Sequence, residues 1–236
     1  MKGICFKEPL FKAIIERRKD MTRRIINPQP ITIRHIDTND GYFKAGNHNS
    51  YLVHENKILH PKYKVGERIY LKEPYRIAPD ANSIIYKYEH PTGRSYYLGC
   101  DMDDRPVTWK NKLFMPESAA RHFIEITGVR AEKLQDISEE DCLREGIRKL
   151  PYTTGDGNTY YSYWNGISNQ PRYNSKKDEL FDDECCSGVC SKWTEEEAAK
   201  IVFSRLIDRI NGKGTWDANP FVWVYDFKLV DSSLFN

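Results

Sequence analysis

The stretch from Trp109 to Gly146 constrains the fold of this chain most, because three kinds of structure follow one another in it. A loop that contains proline leads into an apolar run rich in β-branched residues, which predicts a strand. Gly128 within that run predicts a bulge or a close approach of another group to the backbone. Ser138 then predicts the N-cap of a short helix, and Gly146 provides the left-handed residue that ends it. Glu145, on the last turn of that helix, therefore faces whatever the preceding strand faces.

Glu145 is the first candidate for a functional residue. A carboxylate at the C-terminal end of a helix opposes the helix dipole, so helix formation does not explain why it is there. On residue type alone, a solvated charge at a helix end is the simpler interpretation. The alternative is a carboxylate that belongs to a binding or catalytic site.

Length and charge limit the class of protein. No Gly/Ser-rich linker divides the 236 residues, so we expect a single domain over residues 1–236. The formal net charge of +2 does not support a nonspecific polyanion binder, so contact with nucleic acid has to come from local clusters of charge. No apolar run approaches membrane-spanning length and no secretory signal opens the chain, which predicts a cytoplasmic protein without membrane contact.

A basic cluster follows the first predicted helix, and its members are Arg17, Arg18, Lys19, Arg23 and Arg24. Cations at the end of a helix complement its dipole, which explains the first three. The last two fall beyond the helix, and in an alternating strand only one of them points to water. We therefore expect one of these arginines to turn inward and hold a carboxylate or a phosphate. Glu73, which precedes a proline after a later strand, is a candidate partner.

Strands outnumber helices in the predicted pattern, and no βαβ rhythm is visible, so we expect an α+β fold around a curved sheet or small barrel. Residues 31–60 predict a β-meander, and the segment from Thr194 to Gly212 predicts a long helix with one apolar face. Residues 150–192 have little periodicity and are rich in Gly, Asn, Ser and Tyr. They predict a long polar insertion that is irregular or partly disordered.

Metal and cofactor sites have little support in the sequence. The insertion contains three weak candidates for metal ligands, Cys185, Cys186 and Cys190. Their spacing lacks a C-x-x-C pair and no second Cys/His pair follows nearby, so we expect free thiols on a loop. Neither common Gly-rich phosphate loop is present, so no organic cofactor is expected.

Several segments, taken in order, resemble an ASCH-domain family that is common in phage and bacterial genomes. They include KGICFK, RRKDMTRR, VGERIYLKE, IIYKYE, WKNKLFMPESAARHFIEITGVRAEKLQDISEEDCLREGI and WDANPFVWVYDF. The matches run from near Lys2 to Leu229 and leave residues 31–60 and 150–192 unmatched. ASCH domains are similar in fold to PUA domains, which bind RNA through a compact β-barrel. The resemblance therefore implies a PUA-like β-barrel, or a strongly curved mixed sheet, with flanking helices.

The characterised relatives of that family divide between RNA-binding modules, a reported ribonuclease and an amidohydrolase that deacetylates N4-acetylcytidine. The amidohydrolase uses a Lys and a Thr three residues apart, with a Glu on the short helix after the central strand. Lys19 and Thr22 have this spacing and Glu145 occupies the Glu position, so the resemblance implies catalytic roles for these three. Asp20 departs from the family pattern, and we expect it to raise the pKa of Lys19 and so work against a neutral base.

We therefore expect a pocket that recognises a nucleobase, a nucleoside or RNA, with the amidohydrolase or a ribonuclease as alternatives. In the binding interpretation, phosphates are contacted by Arg17, Arg18, Arg23, Arg24, Lys110 and Lys112. Tyr75 or Trp109 offers a face on which a base can stack. The simpler interpretation is a solvated basic rim with Trp109 in the core. A third is a module that only binds a protein partner through residues 150–192.

Overall fold

The computed structural model describes residues 1–36, 43–45, 48–77, 83–89, 108–153, 159–165 and 195–230. In chain order the strands are β1 (Lys2–Cys5), β2 (Met21–Ile25), β3 (Thr32–Ile36), β4 (Phe43–Ala45), β5 (His48–His54), β6 (Lys57–Leu59), β7 (Arg68–Lys72), β8 (Tyr75–Ile77), β9 (Ile84–Tyr86), β10 (Phe123–Lys133), β11 (Arg148–Thr153), β12 (Thr159–Trp164) and β13 (Phe221–Val230). The helices are α1 (Glu8–Ile15), α2 (Glu139–Arg144), α3 (Glu195–Asn211) and α4 (Thr215–Ala218). The fold is α+β, as the sequence predicts.

A five-stranded mixed sheet with the order β1-β7-β10-β13-β2 forms the centre of the molecule. Strand β1 pairs with β7 in parallel, and the other neighbours are antiparallel. The register of β10 against β13 shifts between Ile126 and Gly128, which confirms the predicted bulge. A Cβ on Gly128 would lie 2.8 Å from a carboxylate oxygen of Asp226, so the close approach also holds.

The two edge strands of this sheet, β1 and β2, are joined in sequence by α1. Pro9 lies in the first turn of that helix, and its apolar face buries Leu10, Phe11 and Ile14. A guanidinium nitrogen of Arg24 on β2 donates to the carbonyl oxygen at the end of β1, at 2.9 Å. Among the described residues no backbone ladder joins β1 to β2. One side chain therefore bridges the two edges of the sheet.

Helix α2 follows its predicted start and stop signals, and α3 ends just before Gly212 as predicted. The hydroxyl of Ser138 accepts a hydrogen bond from the backbone N–H of Asp141 at 3.1 Å, which confirms the N-cap of α2. Gly146 has φ +103° just after the helix, a conformation that favours glycine. Helix α3 buries the predicted apolar residues Ala199, Val202, Phe203, Leu206 and Ile207. Thr194, the expected cap of α3, lies outside the described residues.

Two smaller sheets account for the segments that the family resemblance leaves unmatched. Strand β5 pairs with β3, β4 and β6, so the described parts of residues 31–60 form antiparallel sheet. Strands β11 and β12 also pair with each other, which corrects the prediction that the insertion is irregular from its start. Tyr163 on β12 is 1 % exposed and donates to the Glu139 carboxylate at 2.7 Å, which anchors the hairpin to α2. Residues 166–192, with Cys185, Cys186 and Cys190, lie outside the described part.

No helix in the described part of the chain is both long enough and apolar enough to cross a membrane.

Candidate functional site

Lys19 and Glu145 meet in the interior although 126 positions separate them in the chain. Lys19 follows the turn at the end of α1, where Arg17 adopts φ +56° and the backbone N–H of Lys19 bonds to the carbonyl of Ala13 at 3.1 Å. Glu145 caps the C-terminal end of α2. The lysine is 2 % exposed and the glutamate 5 % exposed, so the simpler interpretation of Glu145 as a solvated charge is wrong.

The ammonium group of Lys19 has three hydrogen-bond acceptors. Its Nζ lies 2.6 Å from Glu145 Oε2, 2.8 Å from the Glu145 carbonyl oxygen and 2.6 Å from the Met21 carbonyl oxygen. Burial lowers the pKa of Lys19, and the neighbouring Glu145 carboxylate opposes that effect. Three acceptors match the three donors of an ammonium group, so the local geometry suits the charged form.

Arg23 is the inward-turned arginine that the sequence predicts, with a side chain that is 1 % exposed. Its guanidinium lies 2.6 Å from Glu132, 2.6 Å from Asp141 and 3.3 Å from Glu145. Three carboxylates thus hold this one cation, and no donor is left for a ligand at the surface. The prediction that Arg23 contacts phosphate is therefore wrong.

The prediction that Glu73 pairs with the inward arginine is also wrong. Glu73 is fully buried, but both of its carboxylate oxygens accept from Arg121, at 2.7 and 2.9 Å. The Arg121 guanidinium also lies over the ring of Tyr86, 4.1 Å from the centroid. Glu73 therefore belongs to a separate ion pair, and the structure does not bring it to the Lys19 site.

Asp20 does not act on Lys19 as the sequence suggests. Its exposed carboxylate accepts from Arg144 Nε at 2.9 Å, and Arg144 also donates to Asp226 at 2.7 Å. The aspartate therefore faces an arginine at the surface, while the lysine beside it in the chain turns into the core. The expected rise in the Lys19 pKa is wrong, because burial lowers it.

Arg24 differs from Arg23 in lacking a carboxylate partner. The Nη2 atom of Arg24 donates to the Cys5 carbonyl oxygen, and the guanidinium lies over the Phe6 ring, 5.0 Å from its centroid. The Nε of Arg24 is buried and has no hydrogen-bond partner. No ion pair joins Arg24 to a carboxylate in the described part of the chain, and burial lowers its pKa. Arg24 is therefore a half-buried cation that makes no ion pair with a described carboxylate, although the more distant Glu145 carboxylate opposes the effect of burial on its pKa.

A cavity of about 220 Å³ opens beside these residues. Its polar wall includes Lys19, Thr22, Arg23, Arg24, Lys112 and Glu145, and its apolar wall includes Phe6, Leu10, Phe203, Leu206, Ile207 and Ile210. Thr22 is 5 % exposed, and its hydroxyl bonds to no other described residue. We call this space the first cavity. The structure thus brings together the three residues to which the resemblance assigns catalysis.

A second cavity, of about 520 Å³, shares Cys5 and Arg24 with the first. Its lining also includes Lys62, Lys72 and the rings of Tyr63 and Tyr225, which are edge-on to each other at 5.3 Å. The lining contains basic side chains and no carboxylate. Arg24 therefore lines both cavities. The first cavity has acidic and basic side chains in its wall, whereas the charged side chains in the wall of the second are all basic.

The remaining predicted binding residues lie apart from one another. Arg17 is exposed, and Arg18 pairs with Glu16 on the same turn. Neither belongs to the lining of either cavity. Lys112 does line the first cavity, and its Nζ donates to the Phe6 carbonyl.

Neither of the two rings proposed for base stacking has an open face, because each lies beside a cationic side chain. Tyr75 is 7 % exposed, and the Nζ of Lys110 lies 5.6 Å from its ring centroid. Trp109 is half-buried, with the Arg76 guanidinium 5.5 Å from its ring centroid. The buried ring of Tyr75 rules it out as a stacking platform, while Lys110 remains exposed nearby.

Several wall residues were not identified from the sequence. Phe203, Leu206 and Ile207 carry the ordinary apolar pattern of a packed helix, and nothing in that pattern distinguishes a cavity wall from a core. Asp141 was predicted only as part of a helix cap, yet it also binds Arg23. Its position four residues before Glu145, on the same face of α2, was the one available signal.

Metal ligation finds no support in the described ranges, where no group of three or more His, Cys, Asp or Glu side chains is placed to hold an ion. Cys142 is fully buried, and burial raises its pKa to about 12, so it is a packing residue.

In comparisons with known proteins, no family model matches the chain and no curated protein or solved structure is significantly similar to it. The ASCH resemblance therefore stays a prediction from the quoted segments.

Proposed function

We propose that this chain is an ASCH/PUA-like protein whose first cavity binds the base of a nucleoside or of an RNA. The observation that carries the proposal is the buried pair of Lys19 and Glu145, which lies beside Thr22 in the wall of that cavity. Ionic side chains are rarely buried unless they are paired, and such pairs with shifted pKa values concentrate at functional sites.

The size and lining of the first cavity favour a single flat heterocycle. A volume of about 220 Å³ lies below the usual range for drug-sized ligands, so it suits one base better than a folded oligonucleotide. Phe6 and Phe203 provide aromatic surface, and Thr22 provides a hydroxyl that both donates and accepts. A nucleobase has two apolar faces and an edge of donors and acceptors, which matches this combination.

The proposed barrel character of the sheet rests on the contact between its edges. Because Arg24 on β2 reaches the end of β1, the sheet is curved enough for one side chain to span the opening. We infer that β1 and β2 form the seam of an incompletely closed PUA-like barrel. Both cavities are lined by residues of this seam.

The alternative function, amide hydrolysis on an acylated base, is favoured by one observation: burial lowers the pKa of Lys19. A neutral Lys19 amine would take the proton of Thr22 or of a water as that oxygen attacks the acyl carbon. Glu145 would relay that proton from Lys19 to the departing exocyclic amine as the C–N bond breaks, and, where Thr22 is the nucleophile, water would then hydrolyse the acyl ester on Thr22. The three acceptors around Nζ favour the ammonium form instead, so recognition is the primary proposal. Ribonuclease activity rests on the resemblance alone.

Calorimetric titration of the protein with the four ribonucleosides and with short single-stranded RNA tests the binding proposal. Thr22→Val keeps the shape of the side chain and removes the hydroxyl, so we expect binding to weaken about tenfold or more. Thr32→Val, at an exposed position of β3, is the matched control and should bind as the wild type does. Absence of binding at low salt, or equal affinity of the Thr22→Val variant, would refute the proposal.

Incubation with N4-acetylcytidine, followed by chromatography for free cytidine, tests the alternative. A hydrolase of this type should lose about 100-fold or more of its rate in Lys19→Met and Glu145→Gln. Unchanged substrate after incubation with the wild-type protein would eliminate hydrolysis of this compound and leave the binding proposal standing.

A further inference from the structure

The contrast between Arg23 and Arg24 points to an additional ligand group. The two arginines are adjacent on one strand, but three carboxylates bind Arg23 directly and none forms an ion pair with Arg24 in the described part of the chain. The Nε of Arg24 is buried without a hydrogen-bond partner, and a guanidinium withdrawn from water usually has an anion bound to it, because burying an unpaired charge is costly. A bound ligand can supply the anionic group that Arg24 does not find among the described residues.

The second cavity has the charge that such a ligand requires. Lys62 and Lys72 line it together with Arg24, and no carboxylate is in the lining. Lys72 uses one ammonium donor on the Leu113 carbonyl, at 2.9 Å, and two donors remain. The Nζ of Lys62 lies 5.3 Å from the centroid of the Tyr63 ring. Three cations from β2, the loop before β7 and β7 itself therefore surround one space.

We propose that Arg24, Lys62 and Lys72 form a phosphate site in the second cavity, and that the chain prefers a phosphorylated nucleoside over a free one. This inference rests on the proposed function, because it places the base in the first cavity and the phosphate in the second. Arg24 lines both cavities and is the residue that links them. Its planar fork matches the oxygens of a phosphate, which a lysine reproduces less well.

A terminal phosphate of a mononucleotide and a backbone phosphate of RNA present the same kind of oxygen to this site. The two sources differ in charge, and only the backbone phosphate carries a second nucleoside. A dinucleoside monophosphate has only the diester, and a nucleoside 5′-monophosphate has only the monoester. Comparing the two compounds therefore identifies the source without changing the protein.

Calorimetry at fixed ionic strength, with the four ribonucleosides, their 5′-monophosphates and the dinucleoside monophosphate CpC, tests the inference. We expect at least one phosphorylated compound to bind about tenfold or more tightly than its nucleoside. Arg24→Gln should reduce that advantage to about twofold or less. The double variant Lys62→Gln/Lys72→Gln should also reduce it, which covers the case in which Arg24→Gln fails to fold.

Arg34→Gln is the matched control, because Arg34 is exposed on β3 and belongs to neither lining. It should keep the full preference for phosphate. Equal binding of nucleosides and phosphorylated compounds by the wild type would overturn the phosphate site and leave the base site standing.

Inorganic phosphate provides a readout that does not depend on base recognition. We expect it to broaden in ³¹P spectra with wild-type protein and not with Arg24→Gln. If no nucleoside binds but this broadening persists, the proposed function fails while the anion site stands. If the wild type does not bind inorganic phosphate and shows no preference for phosphorylated compounds, the anion site is refuted.

Discussion

Arg23 and Arg24 are neighbours on strand β2 but lie in very different electrostatic environments. This difference determines which of them can bind a ligand. Arg23 is saturated by carboxylates and has a structural role, whereas Arg24 faces two cavities with no carboxylate partner in the described residues. Lys19, just before the strand, is held by three oxygen acceptors. Composition alone cannot make this distinction, because all three residues are basic.

Removing the charge of Glu145 should destabilise the protein strongly. Glu145→Gln leaves Lys19 and Arg23 buried with one carboxylate fewer, which typically costs about 3–5 kcal/mol. Glu139→Gln, on the same helix, keeps an oxygen that accepts from Tyr163 and breaks only the half-exposed pair with Lys149, so it should cost about 1 kcal/mol or less. Urea unfolding of both variants measures the two free energies. Equal losses would show that the buried pair does not contribute as its geometry suggests.

The lowered pKa of Lys19 predicts a pH dependence of stability. Between its lowered folded pKa and the ordinary value of 10.5, the unfolded chain binds the proton that the folded protein has released. The unfolding free energy therefore rises with pH in that window. Lys19→Met removes this titration, so the wild type should gain stability relative to the variant as pH rises toward 10.5. Urea unfolding of both proteins at several pH values measures the difference, and a flat or falling difference contradicts it.

At the scale of elements, the turn after α2 positions the site. Gly146 ends the helix, and the preceding residue supplies both a carbonyl and a carboxylate to Lys19. A Cβ at position 146 would lie 3.4 Å from Leu10 and 3.5 Å from Lys19 Cδ. The glycine is therefore required for the backbone turn, because a Cβ there would make only ordinary van der Waals contacts with α1 and Lys19.

Gly146→Ala and Gly212→Ala should destabilise the protein to a similar extent, because backbone strain is the main cost at each position. Both Gly146 and Gly212 have positive φ, at +103° and +111°, so alanine strains the backbone by about 1–2 kcal/mol at each. A Cβ at position 146 would make ordinary van der Waals contacts at 3.4 Å or more, and a Cβ at position 212 would meet nothing within 4 Å, so neither position adds a clash. Thermal unfolding of the two variants measures the two losses, and a loss of less than about 0.5 kcal/mol at both positions contradicts the strain argument.

Elements with local signals were predictable from the sequence. The cap at Ser138, the bulge at Gly128 and the apolar face of α3 are each encoded within a few residues, and the structure confirms them. Partners that depend on the tertiary fold were not predictable. The sequence correctly indicates an inward arginine, but the choice among Glu73, Glu132 and Asp141 depends on which strands become neighbours.

The β11–β12 hairpin was missed for a different reason. Its sequence carries polar residues and aromatic rings without a clean alternation of polar and apolar side chains, so no face is apolar throughout. The structure stabilises it through tertiary contacts, such as the bond from Tyr163 to Glu139 on α2. Tertiary context of this kind overrides the weak β-propensity signal of an isolated segment.

At the scale of the whole molecule, both cavities lie along the seam where β1 and β2 approach each other. Residues from the two edge strands of the central sheet line both cavities, and α3 covers the first cavity. The proposed function needs this arrangement, because the base and its phosphate would enter neighbouring spaces on either side of Arg24. The proposed function requires above all that a nucleobase occupies the first cavity.

Filling the first cavity and measuring nucleoside binding by calorimetry tests that claim most directly. Ile210 lines the cavity and is half-buried, so Ile210→Trp fills the space with little disturbance of the core. Ile201→Trp, at a half-buried position on the same helix outside the lining, is the matched control. We predict that Ile210→Trp loses binding while Ile201→Trp keeps the wild-type affinity. Undiminished nucleoside binding by a folded Ile210→Trp variant would contradict it.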